Sequence, residues 1–408
     1  MTSSRRRLLT EFSYACIECG QEYVIEPGRY VCDICSAKQS PDEPLRGQLE
    51  VRLKGEDGGP PSAPESWTRP DLLPYADPRL LMPVPIEFFP SIPVGNTPLW
   101  EPKRLRNELG LEGLYLKDDT ANPTGSLKDR ASYLVAAFAA QHGLKDIVVA
   151  STGNAGSSMS GIGAAAGLNI RLYLPASAPP AKICQALQYG AKVIKVDGNY
   201  DQAFELSLAY VTEHGGLSRN TGHNPLTVEG KKSAALEIFR QLGGVIPDLV
   251  YVPTGDGVII SGVYKGFEDL VSLGLAECVP EVICVQAEGS SAMTKALTNG
   301  AFGAPVSSKT LADSISVDVP RGGYFALDRL QRHKGRAVTV SDEAIIRAQK
   351  HLSSVSGLFA EPAAAAAYAG LLADRETGRG PGRTDKAVVL VTGNGLKDIT
   401  TAMKGVEL

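Results

Sequence analysis

A chain of 408 residues, 43% hydrophobic and 21% charged with a formal net charge of −4, is long enough for two or three packed cores. It carries no basic excess of the kind that tracks nucleic acid. The basic start Arg5-Arg6-Arg7 is followed only by Leu8-Leu9, so no signal peptide is expected, and no run of about 18 apolar residues marks a membrane span. The expectation is a cytoplasmic protein that binds neither nucleic acid nor membrane.

Residues 1–48 read as a small separate unit. Cys16-x-x-Cys19 is followed, twelve residues on, by Cys32-x-x-Cys35. That spacing suits four thiolates around a tetrahedral structural zinc, a zinc-ribbon-like segment. Four protein ligands leave no open position, so the role is structural; the plainer alternative is four free thiols. Cys184, Cys278 and Cys284 stand in apolar surroundings and read as buried thiols. Residues 49–83, with Gly58-Gly59-Pro60-Pro61, Pro64 and Pro70, read as a linker.

From about residue 84 short β-branched runs alternate with Ala-rich helical stretches. The runs include Ile147-Val148-Val149-Ala150, Leu249-Val250-Tyr251-Val252 and Val388-Val389-Leu390-Val391; helices are expected at 155–167, 201–213, 229–241 and 361–373. Such runs suit strands buried on both faces, so the fold class is α/β with parallel sheets. Ligands in such folds bind at the carboxyl ends of strands.

Three glycine-rich turns fall there: Ser151-Thr152-Gly153-Asn154-Ala155-Gly156, Thr254-Gly255-Asp256-Gly257 and Thr392-Gly393-Asn394-Gly395. Each alone is a tight strand-to-helix loop. Together they offer several sets of helix-start amides, which bind carboxylate or phosphate. A fourth element, Asn122 through Arg130, places Lys128 near a helix start. The helix dipole and the neighbouring Arg130 should disfavour its ammonium form, which makes it a nucleophile toward an aldehyde. A lone lysine on a helix is usually a solvated charge; its company of anion-binding turns argues otherwise.

At these residues the chain resembles threonine synthase, within the tryptophan-synthase-β-like group of pyridoxal-phosphate enzymes. The similarity runs from Gly95-Asn96-Thr97-Pro98-Leu99 through Leu116-Lys117-Asp118, Asn122–Arg130, Ser151–Gly156, Asn224-Pro225, Glu229-Gly230 and Glu361-Pro362 to Thr392–Asp398. It implies two parallel-sheet domains: a large cofactor domain of residues 84–130 and 236–408, and a small one of residues 131–235. It implies that Lys128 bonds covalently to pyridoxal 5′-phosphate and then acts as acid and base. Asn154 would meet the cofactor's 3′-oxygen, the turn Gly255, Asp256, Gly257, Val258 and Ile259 its phosphate, and Thr392 its pyridine nitrogen. Ser151, Thr152, Gly153 and Ala155 would bind the substrate carboxylate. A homodimer is common among similar enzymes, and many of them carry an N-terminal cysteine-pair segment.

Two departures bear on the substrate. The phosphate turn of the family usually carries Asn and a Gly-Gly pair, where this chain has Asp256; a carboxylate repels phosphate, so Asp256 is expected to point away. The family's substrate-phosphate Ser and Arg fall at Gly222 and Thr227. Lys231, Lys232 and Arg321 are candidate replacements for the lost charge. The expected activity is elimination or replacement on a small amino acid, O-phosphohomoserine to threonine or a related conversion. The alternative is a β-replacement or dehydratase enzyme on a serine-type substrate such as O-phosphoserine, similar to cysteate synthase. A binding module without catalysis is disfavoured by Lys128.

Overall fold

The computed structural model describes residues 11–55, 58–176, 178 and 180–406. Its strands are β1 (Glu11–Cys16), β2 (Glu22–Tyr23), β3 (Leu49–Lys54), β4 (Leu99–Trp100), β5 (Leu114–Asp118), β6 (Asp146–Ala150) and β7 (Asn169–Pro175). They continue with β8 (Lys192–Val196), β9 (Leu217–Ser218), β10 (Leu249–Pro253), β11 (Glu281–Ala287), β12 (Arg336–Val340) and β13 (Ala387–Val391). Three sheets result: a small one in order β2-β1-β3, a six-stranded one in order β12-β11-β10-β13-β5-β4, and a four-stranded one in order β8-β7-β6-β9. Pairing in the last two is parallel except for β4, which runs against β5. The apolar runs become fully buried central strands, β10 and β13, as helices on both faces of a parallel sheet demand.

The helices flank these sheets close to their expected positions: Asn154–Ala166, Tyr200–His214 and Pro362–Glu376. The stretch expected as one helix at 229–241 is two, Leu226–Lys231 and Ser233–Gln241. No helix among the described residues is long and apolar enough to cross a membrane.

The N-terminal unit runs past residue 48. β3 pairs along the whole of β1, from Glu11 opposite Lys54 to Cys16 opposite Leu49. Nor are residues 65–83 a free linker. Trp67, Leu73 and Leu81 are buried in the same core as Phe239 and Val250, so their apolar anchors outweigh the Pro and Gly punctuation, which shapes short 3₁₀ turns instead. Cys284 is buried as expected, but Cys184 and Cys278 are exposed. Cys184 sits on the helix Pro180–Gln188 at the edge of a cleft, and Cys278 lies in a loop beyond the helix Val258–Ser272.

The four sulfurs of Cys16, Cys19, Cys32 and Cys35 lie within 4.8 Å of one another. The unit is seated on two loops of the larger body. The Tyr30 hydroxyl accepts the Ser218 N–H at 2.8 Å, Gln48 Nε2 donates to the Gly222 carbonyl at 3.1 Å, and the Leu45 N–H donates to the Arg321 carbonyl at 3.1 Å.

Candidate active site

Strand β5 delivers the chain into the turn that precedes the helix Lys128–Gln141. Asp129, buried in the first turn of that helix, reaches back to accept the Thr124 N–H at 2.7 Å and the Thr124 hydroxyl. Arg130 is buried with Asp119 and Glu237: its Nε donates to Asp119 at 2.7 Å, and Nη1 donates to Glu237 at 2.6 Å. Lys117 Nζ also donates to Glu237, at 2.6 Å. Two cations and two carboxylates thus lock the turn from below. Lys128, between the buried Leu127 and Asp129, is half-buried.

Burial holds the Lys128 ammonium below its usual range; Asp256 opposes this, Arg219 adds to it and Glu361 opposes it. The positive neighbour is therefore not Arg130, whose guanidinium is spent on Asp119 and Glu237. It is Arg219, at the end of β9, which is fully buried. Arg219 donates to the hydroxyls of Thr221 at 2.6 Å and Ser132 at 3.2 Å. Nothing in the sequence singled it out.

The glycine-rich turns converge on this lysine. The Leu127 N–H donates to the Thr392 carbonyl at 2.9 Å and the Asn394 N–H to the Gly125 carbonyl at 3.0 Å, which fastens the lysine turn to the one after β13. The Glu361 N–H donates to the Gly393 carbonyl at 2.9 Å. From the four-stranded sheet, Asn154 Nδ2 donates to both oxygens of Glu361, at 2.9 and 3.0 Å. The helix Asn154–Ala166 starts from Gly153 with no side-chain cap, leaving its first amides to the site. Ser151 is engaged locally, its hydroxyl accepting the Gly153 N–H at 3.1 Å. Asn154 and Glu361 line a cleft of about 500 Å³ with Thr124, Ser157, Gln185 and Lys397. Lys397 Nζ donates to Gln185 at 2.7 Å and Ser157 at 3.0 Å.

The turn after β10 is built differently from expectation. Asp256 does not point away. Its Oδ1 accepts the Val258 N–H at 3.0 Å, at the start of the helix Val258–Ser272. Its charge bears on Lys128, Arg219 and Lys231. A short Asx contact with its own helix start outcompetes a solvent-facing orientation. The glycines here also answer to packing. A Cβ on Gly255 would stand 2.8 Å from Ile315 Cα, and one on Gly257, at φ +84°, 2.8 Å from the Gly322 carbonyl oxygen. The segment 315–322 thus lies directly on the turn.

The three candidate replacements for the missing substrate-phosphate contacts have different fates. Lys232 is paired with Glu229 and Asp269. Arg321 donates to Asp201 at 2.8 Å and lies 3.8 Å over the Phe204 ring. Lys231 is buried, and its Nζ has no hydrogen-bond partner among the described residues. Ser126 Oγ is likewise buried and unpartnered. The buried Arg219, an uncapped helix start and the two orphaned polar atoms of Lys231 and Ser126 near a half-buried lysine fit an anionic, aldehyde-bearing cofactor.

The family described as pyridoxal-phosphate dependent enzyme matches residues 91–393, and the chain belongs to it. Within that class it is similar to the threonine synthase of Methanosarcina acetivorans, 34% identical over 395 residues that cover 95% of this chain and 93% of the relative. It is also similar to the threonine synthase of Methanocaldococcus jannaschii, 33% identical over 405 residues, 96% of this chain and 94% of the relative. In fold it resembles the processed form of threonine deaminase isoform 2 from Solanum lycopersicum, with a TM-score of 0.68 and 21% identity over 85% of this chain and 94% of that one.

Proposed function

We propose that the chain performs elimination or replacement at a small amino acid in the manner of threonine synthase, on O-phosphohomoserine or a related substrate, with Lys128 as the covalent attachment point and proton carrier. The observation that carries this reading is the half-buried Lys128, disfavoured as an ammonium and ringed by the turns at 151–156, 254–259 and 392–395. Bound pyridoxal phosphate supplies the aldehyde and the electron-accepting ring. The chain's own residues do the rest. Lys128 Nζ holds and moves the proton, and the amides from Ser151 to Ala155, with Thr152 and Gly153 between, bind the substrate carboxylate. Asn154 would hold the cofactor's 3′-oxygen, Gly255 to Ile259 its phosphate and Thr392 its ring nitrogen. Thr392 brings a hydroxyl rather than a carboxylate, which favours elimination over transamination. We place the domain division at residues 130 and 236, a choice supported by β6 to β9 forming one sheet and β4, β5 and β10 to β13 the other.

A second reading, β-replacement or dehydration of a serine-type substrate such as O-phosphoserine, is favoured by one observation. Gly222 has no side chain to offer, and the buried Thr227 hydroxyl is spent on the Asn224 carbonyl at 2.7 Å. Incubating the holoenzyme with O-phosphohomoserine, O-phosphoserine, serine and threonine, with products identified by mass spectrometry, separates the two. Borohydride should fix the cofactor on Lys128, and Lys128→Ala should lose colour and at least about a hundredfold in turnover; a label on another lysine rejects the assignment.

The cysteine unit is read as a structural zinc site. Tetrahedral Zn–S bonds of about 2.3 Å place sulfurs about 3.8 Å apart, and Cys19 and Cys32 stand 3.7 Å apart. One zinc per chain by metal analysis, lost in Cys16→Ser, is the expected result. A homodimer in the cytoplasm completes the proposal, and sedimentation tests the stoichiometry.

A further inference from the structure

Lys231 is an isolated lysine in the interior. It is 1% exposed, and its Nζ has no hydrogen-bond partner among the described residues. Burying an unpaired charge costs several kcal/mol, so the side chain is held well below its usual basicity; burial leads, Lys128 and Arg219 reinforce it, and Asp256 alone opposes it. Arg219, the other buried cation nearby, has three oxygen acceptors. Lys231 has none, so it is the group left waiting for an anion.

Its position says which anion. The helix Leu226–Lys231 crosses the helix Val258–Ser272 at Gly262, where a Cβ would stand 2.7 Å from Lys231 Cβ. Gly262 lies about one helical turn beyond Val258. The electrostatic neighbours of Lys231 are Asp256, in the turn before that helix, with Lys128 and Arg219. The uncapped helix-start amides at 153–155 belong to the other parallel sheet and serve the substrate carboxylate in the proposed reading.

We propose that Lys231 binds the phosphate ester of the cofactor, completing with the amides at Val258 and Ile259 a cup whose one acidic neighbour is Asp256. This rests on the assignment of Lys128 as the cofactor lysine. Asp256 accepts the Val258 N–H, an amide the phosphate also needs, and Lys231 provides the charge that lets a phosphate sit beside a carboxylate.

The test uses the full-length apoenzyme and Lys231→Met. Binding of pyridoxal 5′-phosphate, of 4′-deoxypyridoxine 5′-phosphate and of their unphosphorylated forms is measured by ultrafiltration. Lys231→Met should weaken both phosphorylated ligands about tenfold to a hundredfold, as for one charge-assisted hydrogen bond, and leave the unphosphorylated ones unchanged. The apoenzyme Tm should hold or rise, because a buried amine without a hydrogen-bond partner has been removed; a purely structural lysine would lower it. Asp256→Asn added to Lys231→Met should recover part of the lost affinity. Equal affinity for phosphorylated ligands in wild type and variant overturns the proposal, and so does parallel loss of both ligand types. An unchanged cofactor affinity with a raised KM for an anionic amino acid also overturns it, by moving the charge to the substrate. 4′-Deoxypyridoxine 5′-phosphate has no aldehyde, so its binding reads Lys231 independently of Lys128. Failure of the Lys128 assignment shows separately, as a wild-type complex with pyridoxal 5′-phosphate in which borohydride fixes no label or fixes it on another lysine.

Discussion

Asn154 Nδ2 donates to both carboxylate oxygens of Glu361, at 2.9 and 3.0 Å, and so ties the start of a helix on the four-stranded sheet to the start of one on the six-stranded sheet. Glu361 is 3% exposed, and burial raises its carboxyl above the usual range, with Asn154 and the lysines 397 and 128 pulling it back. The contact aims Asn154 across the cleft. Glu361→Ala should release that amide and lower kcat/KM about tenfold to a hundredfold, the worth of a charge-assisted hydrogen bond. Glu361→Gln keeps one acceptor and should lose less. Steady-state kinetics of the two variants decide; equal rates in wild type and Glu361→Ala reject the role.

The lock beneath Lys128 predicts a stability effect. Arg130 is fully buried and serves Asp119 and Glu237 together. Arg130→Met would leave two buried carboxylates with only Lys117 between them. Removing one partner of a buried pair costs about 3–5 kcal/mol, and denaturant unfolding should show a loss of that size. A loss below about 1 kcal/mol, the range of a surface pair, would mean the network is solvated.

His223 predicts a pH dependence. Its ring packs 4.7 Å from Tyr30 and 6.4 Å from Phe204, centroid to centroid. Burial, helped by Arg321, lowers its pKa from 6.5 to about 4. The unfolded chain therefore takes up this proton first as pH falls. Stability should decline from pH 6.5 to about 4, by at most about 3 kcal/mol, since a one-unit shift is about 1.4 kcal/mol. His223→Phe should flatten that limb of a Tm-against-pH curve; an unchanged slope assigns the acid sensitivity elsewhere.

The substrate-phosphate contacts cannot be restored by copying letters. Gly222 sits at φ +81° with Arg321 Cβ 3.1 Å from where a Cβ would be. Thr227 is fully buried. Gly222→Ser should cost about 1–2 kcal/mol in backbone conformation alone, and Thr227→Arg should add an overpacked, buried charge. The double variant is expected to lose Tm and gain no activity on O-phosphohomoserine. A stable double variant with raised activity would show that this loop adapts.

The sheets were legible because buried parallel strands read as β-branched runs, and Lys128 was legible from its turn. The two-residue strands β4 and β9 carry no such run. Lys231 and Lys232 show the limit most plainly. Adjacent residues on a helix point about 100° apart. One ammonium therefore meets Glu229 and Asp269 and its neighbour meets neither, a distinction that only the packing of helix on helix supplies. Arg219 escaped for a related reason: a charged residue at the end of a two-residue strand looks like a surface loop until the helix Lys128–Gln141 is packed over it.

In the six-stranded sheet β13, the last of its strands in chain order, lies between β10 and β5 and contributes Thr392 at its end. The middle of the sheet is thus synthesised after the five other strands of that sheet. Until residues 387–391 leave the ribosome, β5 and β10 have no common neighbour, and their facing edges stay open to unwanted strand pairing. The large sheet therefore closes only once β13 has emerged, and a chain truncated before residue 387 would lose the join between the two halves of that sheet.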